Sequence, residues 1–112
     1  MLQVLDVSHN SLRRVPKSFL EFLSPSLRSL DLSYNFFNSV ENGAFRQLSF
    51  LQVLSLSHNN ILDLEKAAFN SLVRLQILDL SSNKIEVPQF GQFSGLSGIL
   101  KLVSSCYDLT AI

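Results

Sequence analysis

The 112-residue sequence has few of the residues from which disulfides, metal sites or strongly charged surfaces are built. Its single cysteine, Cys106, cannot form an internal disulfide, and the Cys and His spacings typical of zinc sites do not occur in the sequence. Nine basic residues balance nine acidic ones, so no net charge favours a nucleic acid or an anionic membrane as a partner. No apolar run approaches the roughly 18 residues of a membrane span, and the start has no basic and apolar regions of a signal peptide. What is present is ordinary globular composition, with 46% hydrophobic residues and enough length for one domain.

One segment of eleven residues nearly recurs four times along the chain. Its copies are LQVLDVSHNSL (2–12), LRSLDLSYNFF (27–37), LQVLSLSHNNI (51–61) and LQILDLSSNKI (75–85). Two kinds of residue keep steps of 25, 24 and 24 residues, namely Leu5, Leu30, Leu54 and Leu78, and Asn10, Asn35, Asn59 and Asn83. A third marker recurs every 24 residues in the spacers, at Phe45, Phe69 and Phe93. A fixed period of about 20–50 residues indicates a solenoid, in which each unit buries its apolar face against its neighbours.

This pattern resembles the leucine-rich repeat, L-x-x-L-x-L-x-x-N-x-L, and the 24-residue length with a spacer phenylalanine is similar to the type common in extracellular receptors. The resemblance implies an α/β repeat solenoid. Its expected form is a horseshoe arc, with a short parallel β-sheet on the concave face and loops or short helical turns on the convex face. Residues 1–98 then hold four repeats, at about 2–26, 27–50, 51–74 and 75–98. We expect strands centred near 4–6, 29–31, 53–55 and 77–79, with the four recurring leucines buried.

The recurring asparagines and phenylalanines have a structural explanation. After each strand the chain must turn away, which leaves backbone donors and acceptors inside the stack, and each unpaired buried group costs roughly 1–3 kcal/mol. Asparagine carries both a donor and an acceptor, so its four copies can form a ladder that satisfies loop backbone from one turn to the next. We expect the three phenylalanines to form a spine that fills the convex half of the core.

Residues 99–112 fit the pattern only in part. A further step of 24 residues keeps three apolar anchors, at Ile99, Leu102 and Leu109. It places Ser104 where the repeats have a leucine and Tyr107 where they have the asparagine. We expect a degenerate fifth repeat or an unstructured end, with a short edge strand near 100–103. Because Met1 directly precedes the first anchor, we also expect the chain to be a fragment or an incomplete gene model.

Polar residues that face outward from the predicted sheet are the candidate binding residues. They are Asp6, His9, Arg28, Asp31, Tyr34, His58 and Asp79. The three aspartates form a weakly acidic stripe that suits a basic partner, and the histidines and the tyrosine are amphipathic side chains of the kind that anchor interfaces. The serines that follow the strands, at 8, 33, 57 and 81, are expected to hydrogen-bond locally.

His, Asp and Ser side chains together on one face raise the question of a catalytic triad or a metal site. Adjacent parallel strands lie about 4.8 Å apart, so the Cα atoms of His9 and His58, two repeats apart, are separated by roughly 10 Å. Zinc bonds to nitrogen are about 2 Å long, which makes a shared ion unfavourable. An open sheet also offers no pocket to orient a catalytic group. We therefore predict no catalytic, cofactor-binding or metal-binding residues and no enzymatic activity.

The repeat type makes a non-catalytic protein-interaction or ligand-binding module the first functional prediction. Similarity to Toll-like receptors implies part of an innate immune receptor ectodomain, on the extracellular or endosomal-lumen side of a membrane. Its partner would be a protein or pathogen-derived ligand on the concave or lateral face, or a second receptor chain in a dimer. The alternatives are an intracellular, cytoplasmic leucine-rich-repeat scaffold or adaptor and a secreted matrix-type repeat protein. The sequence has no Asn-x-Ser/Thr glycosylation acceptor, which weakens the receptor interpretation.

Overall fold

A computed structural model of the chain describes residues 2–23, 26–65, 67–85 and 101–103. These residues form short strands and one helix. In chain order the elements are β1 (Val4–Asp6), α1 (Lys17–Leu23), β2 (Ser29–Asp31), β3 (Ser39–Val40), β4 (Val53–Ser55), β5 (Asp63–Leu64), β6 (Ile77–Asp79) and β7 (Lys101–Val103).

Five of the strands form one parallel sheet in the order β1-β2-β4-β6-β7. The register places one leucine of each strand beside the equivalent leucine of the neighbouring strand. These residues are Leu5, Leu30, Leu54, Leu78 and Leu102. Four strands occupy the predicted segments, and β7 lies where a short edge strand was expected. The predicted solenoid with a parallel sheet is confirmed. The remaining part of the 99–112 prediction concerns residues outside the described ranges.

The apolar side of the sheet is built by alternation within each three-residue strand, which turns the central leucine inward and its two neighbours outward. Leu54 and Leu78 are fully buried, and Leu30 is nearly so. Leu5 corrects our expectation of burial, because it is only half-buried. The cause is its position in β1, an edge strand that is covered by a neighbouring repeat on one side only.

On the convex side the chain returns through α1 in the first repeat and through turns in the second and third. Within this region β3 and β5 form a second, parallel sheet of two strands. We expected only loops or short helical turns there, so this small sheet is an addition to the prediction. It arises from backbone pairing of two-residue segments, which leave too short a pattern in the sequence to be recognised.

The convex half of the core contains two stacked phenylalanine rings. Phe45 and Phe69 are both buried, with ring centroids 6.2 Å apart and ring planes within 7° of each other. They pack in adjacent repeats as the 24-residue spacing indicates. Phe93, the third residue of the predicted spine, lies outside the described residues.

Candidate interaction site

The turns that follow β1, β2, β4 and β6 each contain one asparagine of the repeat, and two of these asparagines, Asn35 and Asn59, are buried. The side-chain oxygen of Asn59 accepts hydrogen bonds from the backbone N–H groups of Asn35, at 3.1 Å, and Phe37, at 3.2 Å. Its amide group donates to three carbonyl oxygens, those of Leu32 at 3.2 Å, Leu56 at 3.0 Å and Ser57 at 3.1 Å. Asn59 therefore ties its own turn to the turn of the preceding repeat.

The other asparagines repeat this arrangement according to their place in the array. The side-chain oxygens of Asn35 and Asn83 accept the N–H groups of Leu12 and Ile61, each at 3.1 Å. Asn10 lies in the first repeat and is exposed, and its amide group donates to carbonyl oxygens of its own turn at 2.9 and 3.0 Å. In these turns, the side-chain hydrogen bonds that join one repeat to the next are made by Asn35, Asn59 and Asn83.

The residue before each asparagine adopts a left-handed backbone conformation. These residues and their φ angles are His9 (56°), Tyr34 (57°), His58 (54°) and Ser82 (56°). Such angles are uncommon for residues other than glycine and persist only where surrounding structure holds them. Here the adjoining asparagine supplies that support. All four side chains are exposed, along the rim where the strands end.

The rings of three of these side chains, His9, Tyr34 and His58, stack one on the next, and we name this group the rim stack. The Tyr34 ring lies 4.3 Å from the His9 ring, with the planes 12° apart, and 4.2 Å from the His58 ring, with the planes 7° apart. Tyr34 nevertheless remains 45% exposed. Stacking on both faces restricts its rotamers, so the rim stack presents an ordered aromatic edge with a polar tip.

The aspartates that precede the rim are also part of the turns. One carboxylate oxygen of Asp6 accepts the Ser8 N–H at 2.9 Å and the Ser8 hydroxyl at 2.5 Å. Asp31 accepts the same two groups of Ser33 at 2.9 and 2.6 Å. Asp79 accepts the N–H group of the corresponding serine at 2.9 Å. The serines thus bond locally as expected, and the acidic stripe supports the turns as well as facing outward.

These bonds alter the ionisation of Asp6. The pKa of Asp6 lies below its ordinary value because the Ser8 hydroxyl and then the Ser8 N–H favour the charged carboxylate, with a smaller contribution from His9. Burial opposes this effect weakly. Asp6 therefore keeps its charge to a lower pH than an ordinary aspartate does.

The outward face also contains a mainly apolar column that we did not single out from the sequence. The register places Val4, Ser29, Val53 and Ile77 side by side. Val4 is 64% exposed, and Val53 and Ile77 are half-buried. Each directly precedes an inward leucine, so the alternation of a strand was the signal that could have identified it. The outward face thus combines apolar and acidic columns.

At the opposite rim, where the strands begin, two arginines flank one aromatic ring. The Cζ atom of Arg28 lies 5.0 Å from the centroid of the Phe50 ring, and that of Arg74 lies 4.4 Å from it. Both distances suit a cation–π interaction. Arg28 precedes β2 and Tyr34 follows it, so the structure separates this candidate residue from the rim stack. Phe50 and Arg74 lie in spacers and were missed by reasoning from the strand pattern.

The geometry of these side chains favours noncovalent binding over a reaction that makes or breaks covalent bonds. The Tyr34 ring separates the imidazoles of His9 and His58, and the Ser8 hydroxyl donates to Asp6. Across the described ranges, no group of three His, Cys, Asp or Glu side chains is arranged to hold a metal ion. Within the same residues, no helix has the length and apolar character needed to cross a membrane.

Comparison with known families agrees with this architecture. A family model described as leucine rich repeat matches residues 1–61, 25–85 and 49–103, in three overlapping segments. The chain belongs to the leucine-rich repeat family. Domains of this family bind proteins and are typically non-catalytic. Among curated protein sequences, none matches the chain significantly.

Two solved structures are similar to this leucine-rich repeat chain. One is the Toll–Spatzle complex of Drosophila development and innate immunity, in its glycosylated form, with 26% sequence identity, a TM-score of 0.82 and coverage of 92% of this chain and 15% of that one. The other is the leucine-rich repeat domain of APL1B, with 18% identity, a TM-score of 0.85 and coverage of 92% and 30%. The APL1B match shows the fold alone. The chain spans less than a third of the length of either structure.

Proposed function

We propose that this chain is a non-catalytic protein-interaction module within the ectodomain of an innate immune receptor similar to Toll-like receptors. The observation that carries the proposal is the rim stack, in which Tyr34 is fixed between two imidazoles while remaining 45% exposed. The likeness to Toll, which was solved in complex with Spatzle, supports an extracellular or endosomal-lumen location.

A fixed aromatic surface is well suited to binding a protein. Ordering a mobile side chain at an interface costs about 0.5–1.5 kcal/mol, and stacking removes much of that cost for Tyr34 before a partner arrives. Tyrosine is among the residues that contribute most to binding when they lie at the centre of an interface. The rim stack would therefore serve as the anchor of the contact.

The surroundings of the rim stack indicate the chemistry of the partner. Asp6, Asp31 and the corresponding Asp79 lie on the adjoining strands and offer negative charge. The apolar column that includes Val4 and Ile77 adds surface that a partner can desolvate. We infer a protein partner that presents an apolar side chain flanked by lysine or arginine, with a ligand or a second receptor chain as the two sources of that surface.

A photo-crosslinking experiment tests the proposal. Tyr34 is replaced by p-benzoylphenylalanine in the intact gene product expressed in cells, and a matched variant carries the same group at Gln47, an exposed position on the convex turn. We expect a crosslink to an extracellular ligand or to a second receptor chain from position 34 and not from position 47. The Tyr34→Ala chain should fail to compete with that crosslink, whereas the unmodified chain should abolish it.

Three outcomes would contradict the proposal in different ways. Equal crosslinking from both positions would show that the rim stack is not an interface. A position-specific crosslink to a cytosolic protein would favour the alternative function, an intracellular leucine-rich-repeat scaffold, which the lack of glycosylation acceptors supports. A secreted matrix protein as the crosslinked partner would point to the matrix-type alternative.

A further inference from the structure

The small convex sheet does not extend to the first repeat. Backbone N–H groups of the third repeat donate hydrogen bonds to two carbonyl oxygens of the second repeat, those of Asn38 at 2.9 Å and Val40 at 3.0 Å. Within the described residues, the corresponding bonds to Arg13 and Val15 are not formed. The Val15 carbonyl instead accepts the N–H of Lys17 at 2.8 Å. In the described residues, the backbones of the first and second repeats are therefore not paired at the position where those of the second and third repeats are joined.

This break in pairing opens a cavity. Pro16 follows Val15 directly and has no backbone N–H, so the segment cannot continue a ladder and instead turns into α1. The space left between the first two repeats has a volume of about 520 Å³. Small-molecule sites commonly have volumes of about 300–1,000 Å³, so this cavity has the right size for a compact ligand.

The charges around the cavity favour an anion. Arg13, Arg14 and Lys17 line it, together with one acidic residue, Glu41. Lys17 and Glu41 pair with each other, with Nζ and Oε2 3.5 Å apart. Neither Arg13 nor Arg14 forms an ion pair with a described residue. Two guanidinium groups therefore remain to bind a ligand, and their planar donor forks match oxyanions.

The other walls suit a molecule that also carries hydroxyl groups. Ser18, Ser39 and the Asn38 amide supply hydrogen-bond donors and acceptors, and Val15 and Ala44 supply a small apolar surface. We propose that the cavity binds a small polyol, such as a sugar, that bears one sulfate or phosphate ester. The arginines hold the ester, and the polar wall contacts the hydroxyl groups. This site is separate from the rim stack and does not depend on the function proposed for it.

Calorimetric titration of the full 112-residue chain tests the proposal. The probes are glucose 6-sulfate, glucose 6-phosphate, glucose and inorganic sulfate. We expect saturable binding of at least one ester. Glucose and inorganic sulfate should bind about tenfold or more weakly, because glucose lacks the ester group and inorganic sulfate lacks the sugar hydroxyl groups. The ratio of the two ester affinities identifies which oxyanion the site prefers.

Matched variants locate the binding. The R13Q/R14Q chain should bind the ester about tenfold or more weakly, since it loses charge-assisted hydrogen bonds. The R46Q/R74Q chain loses the same charge from exposed arginines outside the cavity lining and should change affinity less than about twofold. E41Q should bind more tightly, because it removes the negative charge from the cavity and releases Lys17 from its pair. A gain of this kind cannot result from unfolding.

Three results would overturn the proposal. The first is unchanged affinity in R13Q/R14Q. The second is an equal loss of affinity in R46Q/R74Q, which would indicate nonspecific attraction to positive charge. The third is inorganic sulfate binding as tightly as the sugar ester, which would remove the role assigned to the polar wall.

Discussion

The side-chain oxygen of Asn59 accepts the backbone N–H of Phe37 at 3.2 Å, across two successive repeats of the solenoid. Phe37 is itself fully buried, so its N–H has no solvent to replace this acceptor. A polar side chain in the core thus satisfies backbone groups that the sheet cannot reach. The asparagine ladder holds the turns that carry His9, Tyr34 and His58, and it connects the stability of the fold to the shape of the candidate interface.

Replacing Asn59 with alanine should lower the free energy of unfolding by about 1–3 kcal/mol, because buried backbone groups lose their partners. Asn35→Ala should cause a comparable loss. Asn10→Ala is the matched control and should cost less, since Asn10 is exposed and bonds within its own turn. Urea denaturation midpoints provide the measurement. Midpoints for the Asn59 and Asn35 variants equal to that of the parent would contradict the ladder explanation.

Truncation of Leu54 tests the packing of the parallel sheet. Leu54→Ala should destabilise the chain by about 2–5 kcal/mol, the range for a core leucine that leaves a cavity. Leu54 is fully buried between β2 and β6, so little relaxation is available to close the gap. Val4→Ala, on an outward residue that is 64% exposed, should change the free energy of unfolding by less than about 0.5 kcal/mol. Similar losses in the two variants would show that the sheet does not bury one face selectively.

The main sheet could be predicted from sequence because two independent markers keep one period. A leucine that must be inward and an asparagine that must follow the strand fix both the strand position and its register. Leu5 shows the limit of that reasoning. It has the same position in its repeat as Leu54, but its burial depends on whether a further repeat covers it. Burial at the end of a solenoid is a property of neighbours and not of the repeat itself.

Only part of the candidate site was predictable from the sequence, and its contacts were not. The repeat spacing placed His9, Tyr34 and His58 in one column, yet their stacking follows from the left-handed turn conformation, which the sequence alone does not specify. Phe50 and Arg74 come from spacers whose path is set by convex packing, so no strand period could bring them together. To predict a contact between residues of different repeats, one must know the backbone conformation of both turns.

The lowered pKa of Asp6 gives a prediction for pH dependence. Because the folded-state pKa lies below the ordinary value of 3.8, the Ser8 bonds stabilise the fold above that pH and are lost as the pH falls through the lowered value. Ser8→Ala should raise the pKa of Asp6 toward 3.8. Titration of the Asp6 carboxyl carbon by NMR measures the shift. Ser57→Ala, in the repeat where Ser55 replaces the aspartate, should leave it unchanged. Titration of Asp6 at its ordinary value in the parent chain would contradict this account.

Gly43 allows a conformational effect to be separated from a steric one. Its φ angle is +71°, in the left-handed region, and a Cβ atom there would meet Arg46 Cδ at 3.9 Å, an ordinary van der Waals distance. Gly43→Ala should therefore lose stability through backbone strain of about 1–2 kcal/mol. Part of that loss, about 0.4–1 kcal/mol, is offset because alanine has fewer conformations in the unfolded chain. The strain exceeds this offset, so the variant should be less stable than the parent.

Gly43→Asn is the control, because asparagine tolerates the left-handed region better than alanine while adding more atoms. If strain decides the outcome, the urea midpoints should fall in the order glycine, asparagine, alanine. If crowding decided it, the larger asparagine would be the less stable of the two variants. An alanine variant at least as stable as the asparagine variant would therefore show that the turn does not depend on the conformational freedom of Gly43.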